Sequence, residues 1–444
     1  MRHSEAFQLV RGWAWRLAAC VLVAAAGCSS VDAGPAPPDT NTSTPGNSGQ
    51  SDDDANLIVL PPEENGSDAA DPFANAAAVA LPEEPVQLEA VISDSDDIDI
   101  YDIGPVFAGD ELVVEVEALS DWDAVAAVFD AEKNLLYAND DRAYYAGLLD
   151  PKIDTLIRHD SARGYVGVAS SSGTGTAGEY RLRVTRTSAR SLPEPETQYV
   201  YFNFDGSPAV EIGTRPAVEV PSFEDSLIAP EFDGQTDELI ERIMSLARQD
   251  YVGLNVRFVS SREGGRPSGS YSTIHFGAYD ADLLGVAENV DEYNEQANQQ
   301  AIIFVDTFDA FLPLAPSLEE MAQAIANVAS HETGHLLGLQ HTNDVRCLMD
   351  ITASLRQMLG PQSFQRSALD ADVFPAGYQD APRLLVDAVG GDLAAVKAAS
   401  ERQFRARALW YDAEPGPAAR NTLRFSTCFC AGCAKSAAKR AARP

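Results

Sequence analysis

From about residue 75 to 187 apolar and polar positions alternate with a period of two. Leu112, Val114 and Val116 interleave with Val113, Glu115 and Glu117; Tyr165, Gly167 and Ala169 with Val166, Val168 and Ser170; and Tyr180, Leu182 and Val184 with Arg181, Arg183 and Thr185. Turn-forming stretches bound these runs: Gly109-Asp110, Asn139-Asp140-Asp141 and the Gly/Ser/Thr segment 171–178. Short half-buried strands joined by tight turns predict an all-β sandwich over residues 73–188. Beyond residue 195 the period changes. Tyr199 to Phe204 reads as a strand, and Leu239, Ile240, Ile243, Met244, Ala247 and Tyr251 form a helical stripe that stops near Gly253. Leu254, Val256 and Phe258 alternate as a strand, followed by strands at Ser272 to Gly277 and Ala301 to Asp306. The pattern predicts a multidomain chain, the sandwich being followed by an α+β domain over 195–388.

The two ends have neither pattern. Arg2, Arg11 and Arg16 precede the apolar run Leu17 to Ala26. That run is too short to span a bilayer and fits the core of a secretory signal in residues 1–27. Ala25-Ala26-Gly27-Cys28 resembles a bacterial lipobox in which Cys28 would be lipidated. Ala25 stands where Leu is usual, and Ala24-Ala25-Ala26 serves equally as an ordinary cleavage site. Both readings place the protein outside the cytoplasm, either lipid-anchored to the cell envelope or secreted. Residues 28–72 are rich in Pro, Gly, Ser, Thr, Asn and Asp and read as a flexible acidic linker with one apolar patch, Leu57 to Leu60. Residues 389–444 read as a weakly ordered basic tail carrying Cys428, Cys430 and Cys433, which could bind a metal or pair with each other and with Cys347.

Charge sharpens this division. The 444 residues carry 67 Asp+Glu against 32 Lys+Arg, a formal net charge of −35. No Lys or Arg lies between Arg16 and Lys133, whereas the final segment is basic. Nucleic acid is excluded as a partner because phosphate binding requires clustered cations.

The acidic strand Asp97-Ile98-Asp99-Ile100-Tyr101-Asp102 leads to the turn Phe107-Ala108-Gly109-Asp110 and the strand Glu111-Leu112-Val113-Val114. With Val128-Phe129-Asp130-Ala131, Asp140-Asp141 and Gly178-Glu179-Tyr180-Arg181-Leu182, this region resembles the bacterial pre-peptidase C-terminal domain. Modules of that family accompany secreted peptidases, and relatives in clostridial collagenases bind collagen and calcium. Asp94, Asp96, Asp97, Asp99, Asp140 and Asp141 supply the oxygen chemistry that Ca²⁺ prefers; the competing reading is a solvated acidic turn.

The densest chemistry lies at residues 331–341, His-Glu-Thr-Gly-His-Leu-Leu-Gly-Leu-Gln-His. On a helix His331 and His335 share one face and can share one metal. Ser317 and Glu320 form a capping-box signal for that helix, and Met321, Ile325 and Val328 continue a buried stripe into the histidines. Gly338 can take the backbone conformation that ends the helix and brings His341 round as the third ligand. Three neutral imidazoles leave one tetrahedral position open, the requirement for a catalytic Zn²⁺. Glu332 stands next to the first ligand, placed to take a proton from the attacking water and pass it to a leaving amine. The predicted reaction is hydrolysis of peptide bonds in a protein or peptide substrate.

This motif resembles that of the metzincin metallopeptidases. Met349, eight residues beyond His341 in Cys347-Leu348-Met349-Asp350, stands where those enzymes have a Met-turn under the zinc ligands. Ile351 replaces the tyrosine that astacins and serralysins carry two residues after that Met, so this end of the site resembles the matrixin type. The resemblance also implies one strand lining the substrate cleft antiparallel to bound peptide, for which Ser272 to Gly277 is the candidate. His275 within it could touch substrate or a second metal, or be structural. A second functional class is a catalytically inactive surface protein that binds a matrix polymer or protein through the sandwich. The intact Glu332 favours the endopeptidase.

Overall fold

The computed structural model describes residues 57–59 and 71–412, apart from 82–84, 144–146, 189 and 214. The signal segment with Cys28 and the cysteines of the tail lie outside the described residues.

Among the described residues, ten strands build the first domain: β1 (Leu57–Val59), β2 (Ala77–Ala78), β3 (Val86–Ile92), β4 (Ile98–Asp102), β5 (Glu111–Ala118), β6 (Ala124–Phe129), β7 (Leu135–Asn139), β8 (Lys152–Leu156), β9 (Tyr165–Ser170) and β10 (Gly178–Thr187). They form two five-stranded sheets, ordered β1-β3-β10-β5-β8 and β2-β4-β9-β6-β7. The alternation works as expected on β5 and β10, where Leu112, Val114, Val116, Leu182 and Val184 are buried between the sheets. β6 and β9 are buried along their whole length, because the outer face of their sheet is also covered. The sequence reading of 28–72 as a flexible linker is corrected at one point: Leu57–Val59 pairs in parallel with β3. An unpaired sheet edge is a ready template for a short apolar segment.

The second domain has a five-stranded sheet of order β14-β11-β15-β17-β16, built from β11 (Gln198–Asn203), β14 (Val256–Ser260), β15 (Ser272–Phe276), β16 (Gly285–Ala287) and β17 (Gln300–Ile303). Four strands are parallel, and the edge strand β16 runs antiparallel to β17. The hairpin β12 (Ser207–Val210) and β13 (Val218–Val220) covers one face through a small apolar cluster with Val286, Ile302 and Phe304. Against the other face lie α1 (Thr236–Asp250) and α2 (Leu318–His335), whose apolar stripes meet the sheet in one continuous core. The rest comprises α3 (Leu355–Met358), the short pair β18 (Arg366–Ala368) and β19 (Tyr378–Asp380), α4 (Ala381–Val389) and α5 (Leu393–Asp412).

Helix α5 corrects the expected weakly ordered tail from residue 389. Val396 is buried in the main core, Ala399 is buried, and Gln403 donates from Nε2 to Asp250 Oδ1 at 2.8 Å. The Ala/Arg-rich composition conceals an inward face at helical spacing, with bases on the solvent side.

The sandwich is docked on the second domain by a shared core. Phe374 and Leu369 pack into a cluster with Phe73, Ile100, Phe129 and Tyr165, and the Phe129 and Phe374 rings lie 5.4 Å apart. Polar contacts flank it: Arg366 Nε donates to Asn134 Oδ1 at 2.6 Å, Tyr293 Oη to the Leu136 carbonyl at 2.9 Å, and His159 Nδ1 lies 2.9 Å from Asp387 Oδ2.

Candidate metal centre and cleft

Helix α2 begins with the capping box anticipated from Ser317 and Glu320. Ser317 Oγ accepts from Glu320 N at 3.2 Å, and Glu320 Oε2 accepts from Ser317 N at 2.7 Å. Near its other end Tyr251 Oη donates to the Ser330 carbonyl at 2.8 Å, tying the helix to the end of α1. The helix closes with Leu339 N donating to Gly334 O at 2.9 Å and Gly338 N to His335 O at 3.0 Å, the bond pair of a Schellman turn. Gly338 has φ +91°, and a Cβ there would come within 2.7 Å of Glu292 Cα, so both conformation and space demand glycine.

That turn brings His341 back to His331 and His335. His335 Nε2 is 3.0 Å from His331 Nε2 and 3.1 Å from His341 Nε2, and all three rings are buried. The tautomers of His331 and His335 follow from their outer nitrogens. His331 Nδ1 donates to the Leu348 carbonyl at 2.6 Å and His335 Nδ1 to the Leu339 carbonyl at 2.7 Å, which leaves the Nε2 lone pairs facing inward. Ligands about 2.05 Å from a tetrahedral ion stand about 3.3 Å apart, so the observed spacing suits Zn²⁺. These residues fit the metal, and the donor set, all imidazole nitrogen, is one that zinc favours.

Met349 is fully buried, its sulfur 2.7 Å from where a Cβ on Gly334 would stand. It therefore packs against the helix between the two ligands. The backbone around it does as much: Leu348 O holds His331, and Thr342 N donates to Met349 O at 2.9 Å, binding the third-ligand loop to the turn. Cys347 beside it is buried and free, and burial raises its pKa. Motif reading could not name the Leu339 and Leu348 carbonyls, because backbone acceptors leave no residue-type signal.

Glu332 is fully buried and faces the edge strand β16, where a Cβ on Gly285 would lie 2.5 Å from Glu332 Oε1. This overturns the choice of Ser272 to Gly277 as cleft strand. β15 is hydrogen-bonded on both sides, to β11 and β17, so it has no edge to offer a peptide. β16 pairs only with β17 among the described strands and runs antiparallel to the sheet. Three residues, Gly-Val-Ala, are too few to show a period. His275 sits inside the sheet, Nδ1 3.1 Å from Asn203 Nδ2 and Nε2 3.2 Å from Gln300 Oε1, and burial lowers its pKa. It is a structural histidine.

A helix-borne His-Glu-x-x-His pair, completed by a third histidine past a glycine turn, defines the centre of a zinc metallopeptidase. Residues 267–372 match the family model of the matrixin peptidases, so the catalytic region is of the metzincin type. No curated protein matches the chain in sequence. Among solved structures it is similar to archaemetzincin from Methanopyrus kandleri, with 15% identity, 38% of this chain and 89% of that chain covered, and a TM-score of 0.22. It is also similar to the pre-peptidase C-terminal domain of a Bacillus anthracis collagenase, with 12% identity, 25% and 94% covered, and a TM-score of 0.20. A third is the Aeromonas hydrophila periplasmic lysozyme inhibitor PliG, with 17% identity, 25% and 97% covered, and a TM-score of 0.20.

Proposed function

We propose that this protein is an exported zinc-dependent endopeptidase that hydrolyses peptide bonds with Glu332 as general base. The convergence of three Nε2 atoms at the end of the helix that also bears Glu332 carries this reading. Bound zinc would supply Lewis acidity to the scissile carbonyl and to the attacking water. The chain's own residues do the remainder. His331, His335 and His341 hold the metal, oriented by the Leu348 and Leu339 carbonyls. Met349 braces the helix from below, and Gly338 lets the third ligand return. The side of β16 away from β17, which has no strand partner among the described residues, is where an extended substrate would add as a further strand. Glu332 takes the proton from the water and delivers it to the leaving nitrogen.

The test is hydrolysis of casein or gelatin by the purified mature protein, beside Glu332→Ala and chelator-treated protein. Wild type should cut and both controls should not. A wild type that holds one zinc yet cuts no protein or peptide library refutes the enzyme reading.

Export rests on the amino-terminal segment, with Cys28 the candidate lipidation site; no helix among the described residues is long and apolar enough to cross a membrane. Calcium is proposed for the sandwich, where strand register brings the turn before β4 and the turn after β7 to one end of the same sheet. Asp96 lies in the turn before β4, Asp99 within β4 itself, and Asp140 and Asp141 in the turn after β7. Calcium should raise the melting temperature of wild type, and an Asp140→Asn/Asp141→Asn variant should lose that rise.

A further inference from the structure

We infer that Gly285 is a positioning residue whose missing side chain provides the space in which the Glu332 carboxylate stands; this rests on the general-base reading above. The backbone at Gly285 is ordinary extended strand, so the requirement is for room and not for an unusual conformation. Along β16 the side-chain directions alternate. Val286 turns to the hairpin-covered face, buried with Ile302 and Phe304, while Ala287 joins the core beneath the helices. Gly285 therefore points the same way as Ala287, towards α2. A Cβ built there would meet Glu332 Oε1 at 2.5 Å, Cδ at 2.9 Å and Cγ at 2.9 Å. The three nearest atoms all belong to the Glu332 side chain and none to the helix backbone. The gap thus fits one carboxylate rather than the general approach of helix and sheet.

Neither wall can retreat. β16 is held by its ladder to β17, Gly285 opposite Ile303 and Ala287 opposite Ala301, and Leu284 O accepts from Phe304 N at 2.9 Å. α2 is held by Tyr251 Oη at Ser330 O and by the His331 bond to Leu348 O. An added methyl group is accommodated by rotation of the Glu332 side chain, which moves its carboxylate by roughly 1 Å to reach ordinary contact distance. A displacement of that size at a reacting group lowers turnover on the order of 100-fold.

The experiment measures kcat and KM on casein-derived peptides, zinc stoichiometry and melting temperature for full-length mature wild type, Gly285→Ala, Glu332→Asp and the double variant. Gly285→Ala is expected to hold one zinc and melt close to wild type, with kcat reduced about 30- to 100-fold and KM changed less than about threefold. The shorter Asp withdraws the carboxylate by about one methylene, so adding Gly285→Ala to Glu332→Asp should change kcat less than about threefold. A kcat for Gly285→Ala within threefold of wild type overturns the inference, as does an equal loss in both backgrounds. If wild type itself cuts nothing, the enzyme reading fails, and the crystal structure of zinc-loaded Gly285→Ala decides this point alone. A displaced Glu332 carboxylate supports it and an unmoved one overturns it.

Discussion

His159 should make the junction between sandwich and peptidase domain sensitive to alkaline pH. Its imidazole lies between Asp130 of the sandwich, 3.9 Å from Nε2, and Asp387 of α4, 2.9 Å from Nδ1, with Arg383 Nε 3.3 Å from the same Asp387 oxygen. The carboxylates of Asp130 and Asp387, the second hydrogen-bonded to the ring, outweigh burial and the Arg383 charge, raising the pKa to about 9 from an ordinary 6.5. A folded-state value above the unfolded one means that the contribution is complete below about pH 6.5 and is lost as pH rises through 9. The gap of about 2.5 pH units corresponds to ~3.4 kcal/mol in a sheltered site. The side chain is 15% exposed, and allowing for solvent screening leaves about 2 kcal/mol. His159→Gln keeps a neutral hydrogen-bonding group and removes the titration. Between pH 6 and pH 9.5 the melting temperature should fall further for wild type than for the variant, by about 3 °C for a domain pair of this size. Taking the difference cancels the other titrating groups. Parallel pH profiles for the two proteins would refute the assignment.

Other positions test other parts of the structure. Asp250, buried with Ser330 Oγ at 2.7 Å and Gln403 Nε2 at 2.8 Å, has its pKa raised to about 7 by burial. Its charge therefore opposes folding increasingly as pH rises from about 4 to 7, and Asp250→Asn should be the more stable protein at pH 8 by about 1–3 kcal/mol and not below pH 4; a pH-independent difference in calorimetry counts against this. Gly338→Ala forces a side chain into a left-handed turn and against the Glu292 backbone, so it should cost about 2–4 kcal/mol and reduce zinc retention during dialysis. Full zinc retention would show that the turn tolerates a side chain. Phe374→Ala empties a fully buried ring site between the domains and should cost about 3–5 kcal/mol, with sandwich and peptidase melting together at lower temperature. Separate transitions, only one of them shifted, would mean that the shared core does not couple the domains.

The parts of this protein written in local pattern were legible from sequence. Ser317 and Glu320 marked the start of α2, the period-two runs at Leu112 and Tyr180 marked sandwich strands, and eleven residues carried the three histidines and Glu332. The parts that depend on chain crossing were not. Gly285 comes 47 residues before Glu332, and nothing in Gly-Val-Ala tells an edge strand from a loop. Ser272 to Gly277, the expected cleft strand, contains a strand paired on both sides, and which strand ends up at the edge of a sheet is decided by pairing that the segment's own residues do not encode. Phe129 and Phe374 are 245 residues apart, so their contact leaves no spacing signal. In α5 the bases dominate composition while Val396, Ala399 and Gln403 carry the packing.

These crossings change what the sandwich is in this molecule. Read from sequence, it is a separate module on an acidic linker, available to recruit a polymer. In the fold, the third ligand is bonded to a segment that rests on the sandwich: Asp370 N donates to His341 O at 3.1 Å, while Leu369 and Phe374 on either side of Asp370 lie in the shared core. Gln340, just before His341, is bonded through its backbone and side chain to Gln379 and Glu292. Tyr293, next to Glu292, in turn donates to Leu136 of the sandwich. The loop bearing His341 is thus bound on one side by the Met349 turn and on the other by segments that rest on the sandwich. A third ligand at the end of a glycine turn has little rigidity of its own, and its position depends on such supports. The sandwich therefore supports, through those segments, the loop that carries the third ligand.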